Sequence, residues 1–282
     1  MNAITFKTIG IGVNFSPNLE ANINEAARLA LCLGSKLVLI HVGETSDEKS
    51  KTFLTFLKPF VNNGLEFEIL FKSGDPVDVI LSSTIEKNID LLIIGALKKE
   101  NFLKYYLGSI ARKITRKASC SVLLLINPSI ERVPCEHIVV NGLKDPKTKE
   151  TVNTAFLVGH KLGVGKITVV EEIDQEEVSV KVDDDKTLRK STIIKERLRL
   201  REEARVKKVL DSIPADYTKD ITIKSQPIFG KRGYSIGHYA QVARADLLVM
   251  NAPSKMTFWD RLFPHDIEHI LTELPTDVLI VQ

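Results

Sequence analysis

GDPVDVILSSTIEKNIDLLIIGA, residues 74 to 96, reads as a turn, a helix and a strand within 23 residues. Asp75 supplies a side-chain oxygen for the unpaired N–H groups that open a helix. Pro76 suits the first helical position, where its missing N–H costs no hydrogen bond. The helix is predicted to run to about residue 88. Leu91-Leu92-Ile93-Ile94 is then a continuous apolar run closed by Gly95. Such a run, without polar alternation, is what a strand shows when both faces of a parallel sheet are covered.

The same alternation extends in both directions. Strands are expected near 4–13, 36–42, 65–72, 90–95 and 121–126, and helices near 18–33, 48–62, 76–88 and 108–118. Leu19, Ile23, Ala26, Ala27, Ala30 and Leu31 recur at helical spacing. Five strands alternating with four helices predict a doubly wound, parallel-sheet α/β domain. In such sheets ligands bind beyond the carboxyl ends of the strands, near the point where the chain direction switches.

The chain then repeats itself. IGVNFSPN (11–18) is matched by IVVNGLKDP (138–146), with Asn14 on Asn141. LGSKLVLIHV (33–42) is matched by LGVGKITVVEE (162–172), NIDLLIIGA (88–96) by RADLLVMNA (244–252), and CSVLLLI (120–126) by TDVLIVQ (276–282). A period this long means two copies of one domain rather than a solenoid. The expected domains are 1–130 and 131–282. The offset between copies widens from 127 at Asn14 to 156 at Gly95, so the second copy carries an insertion over about 171–212. Its acidic and then basic part, 171–190, reads as a solvated loop or hairpin, or as an arm that binds a protein partner. Residues 191–212 have helical composition, charged on most faces, and part of that helix is expected to project.

Bulk properties bound the function. A 44% hydrophobic and 27% charged chain can bury a core, and a net charge of +3 gives no case for a nucleic-acid partner. No apolar run approaches the roughly 18 residues that span a bilayer, so no membrane role is expected. The opening, MNAITFKTIGIGV, lacks the pattern of a signal peptide. Cys32, Cys120 and Cys135 have no metal-type spacing and read as buried reduced thiols. These features together predict a cytoplasmic protein.

The chemistry is expected after strands one and four. Gly95 ends strand four, and Gly108-Ser109 opens the next helix, whose first N–H groups are unpaired and whose dipole is positive there. Glycines let a phosphate approach the backbone, and a serine hydroxyl adds a donor. The same residues also fit a plain strand-to-helix connection. His41, in strand two, reads as a packed strand residue.

The two-copy α/β unit, GDPVDVILSSTIEKNIDLLIIGA and LGSIARKITRKASCSVLLL together resemble the universal stress protein family, as a tandem member over essentially the whole chain. The resemblance implies an adenine nucleotide hydrolase-like fold and binding of ATP or another adenine nucleotide such as AMP, with Mg²⁺. Nucleotide-binding members carry glycine, two residues, glycine, nine residues, then glycine followed by serine or threonine. Here the pattern reads Gly95, Ala96, Leu97, Lys98, nine residues, Gly108, Ser109. Lys98 stands at the second glycine, and Ala111 replaces a further hydroxyl. Lys98, Lys99 and Lys104 add positive charge. Asn14 stands where the family has an aspartate near the nucleoside. Ser16 remains as a crevice group or a helix cap, and Val42 matches a position whose backbone meets the base.

The second copy departs further. Asn251-Ala252-Pro253-Ser254 and Pro264-His265 stand in place of the motif, so it is expected to be a structural partner. His265, Asp266 and His269 raise a metal reading that lacks a third ligand of clear spacing. MTFWDRLF (256–263) reads as a loop that caps the pocket or packs on a partner.

Three functions follow: a nucleotide-binding stress-response protein, an interaction or regulatory module that binds no nucleotide, or at most a slow ATPase. No catalytic constellation is visible. The apolar edge candidates 121–127 and 277–282 are expected to pair within the chain as a pseudo-dimer, with a homodimer as a further assembly.

Overall fold

A computed structural model describes residues 5–98, 105–178, 180–231, 233–252 and 270–282. The chain forms two compact units, Met1–Pro134 together with Leu271–Gln282, and Cys135–Ile270.

In the first unit β1 (Thr8–Val13), β2 (Lys36–Val42), β3 (Phe67–Lys72), β4 (Leu91–Gly95) and β7 (Ser121–Leu125) form the parallel sheet. The order runs β7-β4-β1-β2-β3, and β12 (Asp277–Val281) adds antiparallel to the outside of β7. The two apolar edge candidates thus pair with each other, Val278 opposite Leu124 and Ile280 opposite Val122. Asp277 fixes the start of that pairing by accepting from the Ile126 N–H at 2.8 Å. Helices α1 (Leu19–Leu33) and α2 (Asp47–Val61) pack on one another, as do α3 (Pro76–Glu86) and α4 (Ser109–Lys117). This is the doubly wound α/β architecture expected from the sequence.

The elements form where local chemistry asks for them. Asp75 Oδ1 accepts from the N–H groups of Val77 and Asp78 at 2.9 and 3.2 Å, and Pro76 occupies the first turn of α3. The α1 helix stops at Gly34, whose φ of 69° is left-handed. The interiors of β1, β2 and β4, including Ile9, Ile11, Leu39, Ile40, Leu92 and Ile93, are buried almost completely.

The second unit orders its strands β10-β9-β8-β11, all parallel, from β8 (His137–Asn141), β9 (Lys166–Asp174), β10 (Thr222–Gly230) and β11 (Leu247–Asn251). Its helices include α5 (Thr148–Leu162), α6 (Asp185–Leu210) and α8 (Tyr234–Val242), with the single-turn α7 (Ala215–Thr218) between α6 and β10. Both units use one device to tie strand starts together. Asp90 accepts from the N–H groups of Lys7 and Thr8, and Asp246 accepts from those of Glu136 and His137.

Three expectations are corrected. Residues 171–174 are not a solvated loop but the end of β9, with Glu171 and Glu172 buried. Glu171 accepts from Ser225 of β10 through one oxygen only, and Glu172 accepts from the N–H groups of Gly233 and Ile236 at the start of α8. The insertion's helix starts at Asp185, where Asp184 and Thr187 form a reciprocal cap, and only Ser191, Glu202 and Val206 of its 26 residues are buried. Of the three thiols, none in a disulfide, only Cys120 is buried, and burial pushes it up to about 11.

Candidate functional site

Strand register brings the sequence-derived site residues to one end of the first unit. Val13 pairs with His41, so Asn14 follows β1 beside Val42 at the end of β2. Ile11 pairs with Ile93, which sets Val13 level with Gly95 at the end of β4. The helix after β1 runs toward β2, and the chain after β4 runs toward β7. Asn14, Val42, Gly95 and Ala96 therefore share the carboxyl end of the sheet, at its switch point.

The segment after β4 closes on itself. Leu97 and Lys98 (β5) pair antiparallel with Tyr106 and Tyr105 (β6). Two-residue strands carry no periodicity, so the sequence gives no sign of them. The pairing sets β6 beside the residues that follow β4, and Gly108 and Ser109 come two and three residues after Tyr106. Lys98 lies in extended strand backbone, so it meets no left-handed requirement. Lys99 and Lys104 lie outside the described residues, as do Pro253, Ser254, 256–263, Pro264, His265, Asp266 and His269.

Gly108 is the N-cap of α4, in extended backbone, and makes no side-chain cap bond. Ser109 is exposed at the first helical position. The first turn carries no acid, and Arg116 and Lys117 lie in the last turn. A helix start with free N–H groups, a hydroxyl and no nearby carboxylate on its own turn is suited to an anion.

The strand-one side is polar and neutral. Asn14 is exposed, and its carbonyl accepts from the Ser16 N–H at 2.8 Å. Ser16 is half-buried, and the cap position of α1 belongs to Asn18, so Ser16 does not serve as the helix cap. Val42 is half-buried, and the following Gly43 donates to Lys72 O. His41 is a packed residue: its Nδ1 lies 3.1 Å from Val13 O, and its ring sits among Phe15, Phe53 and Phe71.

Sequence reading missed one residue here. Asn22, on α1, lays its carboxamide over Gly95. A methyl group at position 95 would stand 3.2 Å from Asn22 Oδ1 and 3.3 Å from Nδ2. Oδ1 is buried without a hydrogen-bond partner.

The matching end of the second unit is occupied by its own side chains. Asn141 is 1% exposed and turns Oδ1 back to the Leu143 N–H at 3.1 Å. Arg205 of α6 donates to Gly142 O and Leu143 O, fixing the turn that is open after β1. Asn251 stands where the first unit has Gly95, and both its amide atoms are buried without partners. Glu172 accepts from Gly233 N and Ile236 N and so fills the start of α8 with a carboxylate. Burial pushes Glu202 up, but Arg205 and Arg201 outweigh it and hold the carboxyl below its ordinary value.

A cavity of about 530 Å³ lies beside this turn, lined by Leu143, Lys144, Ile173, Asp174, Glu177 and Arg201 among others. Among the described residues, no group of three or more His, Cys, Asp or Glu could hold a metal ion, and no helix is long and apolar enough to cross a membrane.

Comparison with known proteins gives a consistent family. Residues 57–125 match the model of the universal stress protein family. Over 62 residues the chain is 27% identical to the universal stress protein YxiE of Bacillus subtilis (strain 168), covering 22% of this chain and 42% of that protein. The match thus spans less than half of the curated relative.

A protein of unknown function from Pseudomonas aeruginosa PAO1 aligns over 98% of this chain and 92% of its own, with a TM-score of 0.70 at 17% identity. A universal stress protein from Archaeoglobus fulgidus DSM 4304 aligns over 99% of each chain, with a TM-score of 0.68 at 16% identity. These two structures establish the shared fold.

Proposed function

We propose that this chain, which belongs to the universal stress protein family, is a stress-response protein that binds an adenine nucleotide in its first unit. The phosphates sit against Gly95, Ala96, Lys98, Gly108 and Ser109. The nucleoside sits beside Asn14, Ser16 and Val42. ATP, with or without Mg²⁺, is the ligand to test first.

The observation that carries this reading is the β5–β6 hairpin. Tyr106 pairs with Leu97, two residues beyond Gly95, and the uncapped start of α4 follows shortly after, which supports a phosphate site at the end of β4. The second unit serves as the structural partner: Asn251 stands at the position of Gly95, and Arg205 holds the turn after β8.

The competing reading is an interaction module that binds no nucleotide. The neutral Asn14 and the loss of a hydroxyl at Ala111 favour it. Titration of the chain and of its Ser109→Ala variant with ATP separates the two. Nucleotide binding predicts saturable heat that weakens about tenfold in the variant, the size of one charge-assisted hydrogen bond. An interaction module gives no heat from either protein. Turnover well above a protein-free control would instead establish an ATPase.

A further inference from the structure

The α1 helix buries Ile23, Ala26, Ala27 and Ala30, and Asn22 interrupts that apolar face with a carboxamide. The interruption stands over Gly95, closer than ordinary van der Waals contact to where a methyl group would sit. Its Oδ1 is buried and makes no hydrogen bond. A buried polar atom without a protein partner calls for an explanation, and contact with a ligand is one that suits its position. The position is the switch point itself, since Gly95 lies level with Val13 on the neighbouring strand and Asn14 follows directly. An alanine at 22 would fill the space against glycine with no unmet polar group.

We propose that Asn22 is a ligand-contacting residue of the first unit, joining the strand-one side of the crevice to the β4 exit. This inference rests on the nucleotide reading above. The carboxamide presents a donor and an acceptor toward Gly95 whichever way its amide is turned. The donor meets a phosphate oxygen next to the ribose, and the acceptor meets a ribose hydroxyl. Neutrality is part of the role. A carboxylate of the same shape would keep the acceptor and repel the phosphate.

The test is a titration with ATP and, separately, with adenosine, of the natural chain, Asn22→Ala and Asn22→Asp. Asn22→Ala is expected to weaken ATP about tenfold, the size of one lost hydrogen bond to an anion. Its melting temperature should hold or rise, because an unpartnered polar group is removed. Asn22→Asp is expected to weaken ATP at least about a hundredfold while changing adenosine far less.

Equal ATP affinity of all three proteins would overturn the role of Asn22 and leave the nucleotide site standing. Equal losses for ATP and adenosine in the aspartate variant would also overturn it, since that is the mark of a general structural disturbance. A natural chain that binds neither ligand would overturn the nucleotide reading itself, and this inference with it.

Discussion

Gly95 and Asn22 show how one missing methyl group positions a site. The Asn22 carboxamide reaches the exit of β4 because residue 95 has no Cβ. Gly95→Ala would push the amide back by a few tenths of an ångström. It should cost about 1 kcal/mol of stability by overpacking. Asn22→Ala in the same chain should recover most of that loss, because the clash is with this side chain. Urea unfolding of the two single variants and the double variant measures the coupling. Simple additivity would mean that the two residues do not touch as described. The glycine was visible in the sequence by its spacing to Gly108-Ser109. Its neighbour was not, because an asparagine inside an amphipathic helix carries no local signature. Only the packing of α1 on the end of β4 gives it meaning.

At the scale of elements, the insertion rests on a buried carboxyl. Glu171 on β9 is 1% exposed, and its Oε1 accepts from Ser225 Oγ of β10 at 2.8 Å, while Oε2 has no partner. Arg205 and Glu203 of α6 act on it with opposite signs. Burial dominates and raises the carboxyl from 4.5 to about 7.

The sign follows from linkage. Below about pH 4.5 the group is neutral in both folded and unfolded chains and contributes nothing. Between about 4.5 and 7 the unfolded chain ionises first, so stability falls as pH rises. Above 7 the penalty is complete, on the order of 3 kcal/mol for this shift. Glu171→Gln should therefore be more stable than the natural chain at pH 8, with the gap closing toward pH 4.5. Urea midpoints that stay parallel over this range would contradict the burial described.

The sequence read this stretch as solvated because it is dense in acids. The partners that bury Glu171 and Glu172 lie 54 to 64 residues further on, beyond any local pattern. Where partners are close in sequence, as in Asp75-Pro76 with the start of α3, the reading needed no tertiary information.

For the whole molecule, the last strand is the element whose sequence neighbours say least about its place. Residues 276–282 resemble 120–126, and the two segments meet antiparallel as β12 and β7. Leu271–Gln282 belongs with the first compact unit, although Cys135–Ile270 forms the second. Parallel sheet, helix layers and internal similarity were all legible from apolar runs and matching segments. Strand partnership across 150 residues was legible only as two apolar edges in search of cover.

Removing residues 271–282 should expose Val122, Leu123 and Leu124 along the open edge of β7. The shortened chain should self-associate in light scattering and melt several degrees lower. A monomer with unchanged melting would contradict the place of β12 in the first unit.

The central claim is that the first unit alone holds an adenine nucleotide. Calorimetric titration of the nucleotide-stripped chain with ATP, with and without Mg²⁺, tests it most directly. The account predicts one site per chain with a dissociation constant on the order of micromolar. That heat should be diminished by Ser109→Ala and preserved when Arg205 is replaced in the second unit. Absence of binding at high protein concentration would contradict the claim. So would binding that survives Ser109→Ala and is lost with Arg205.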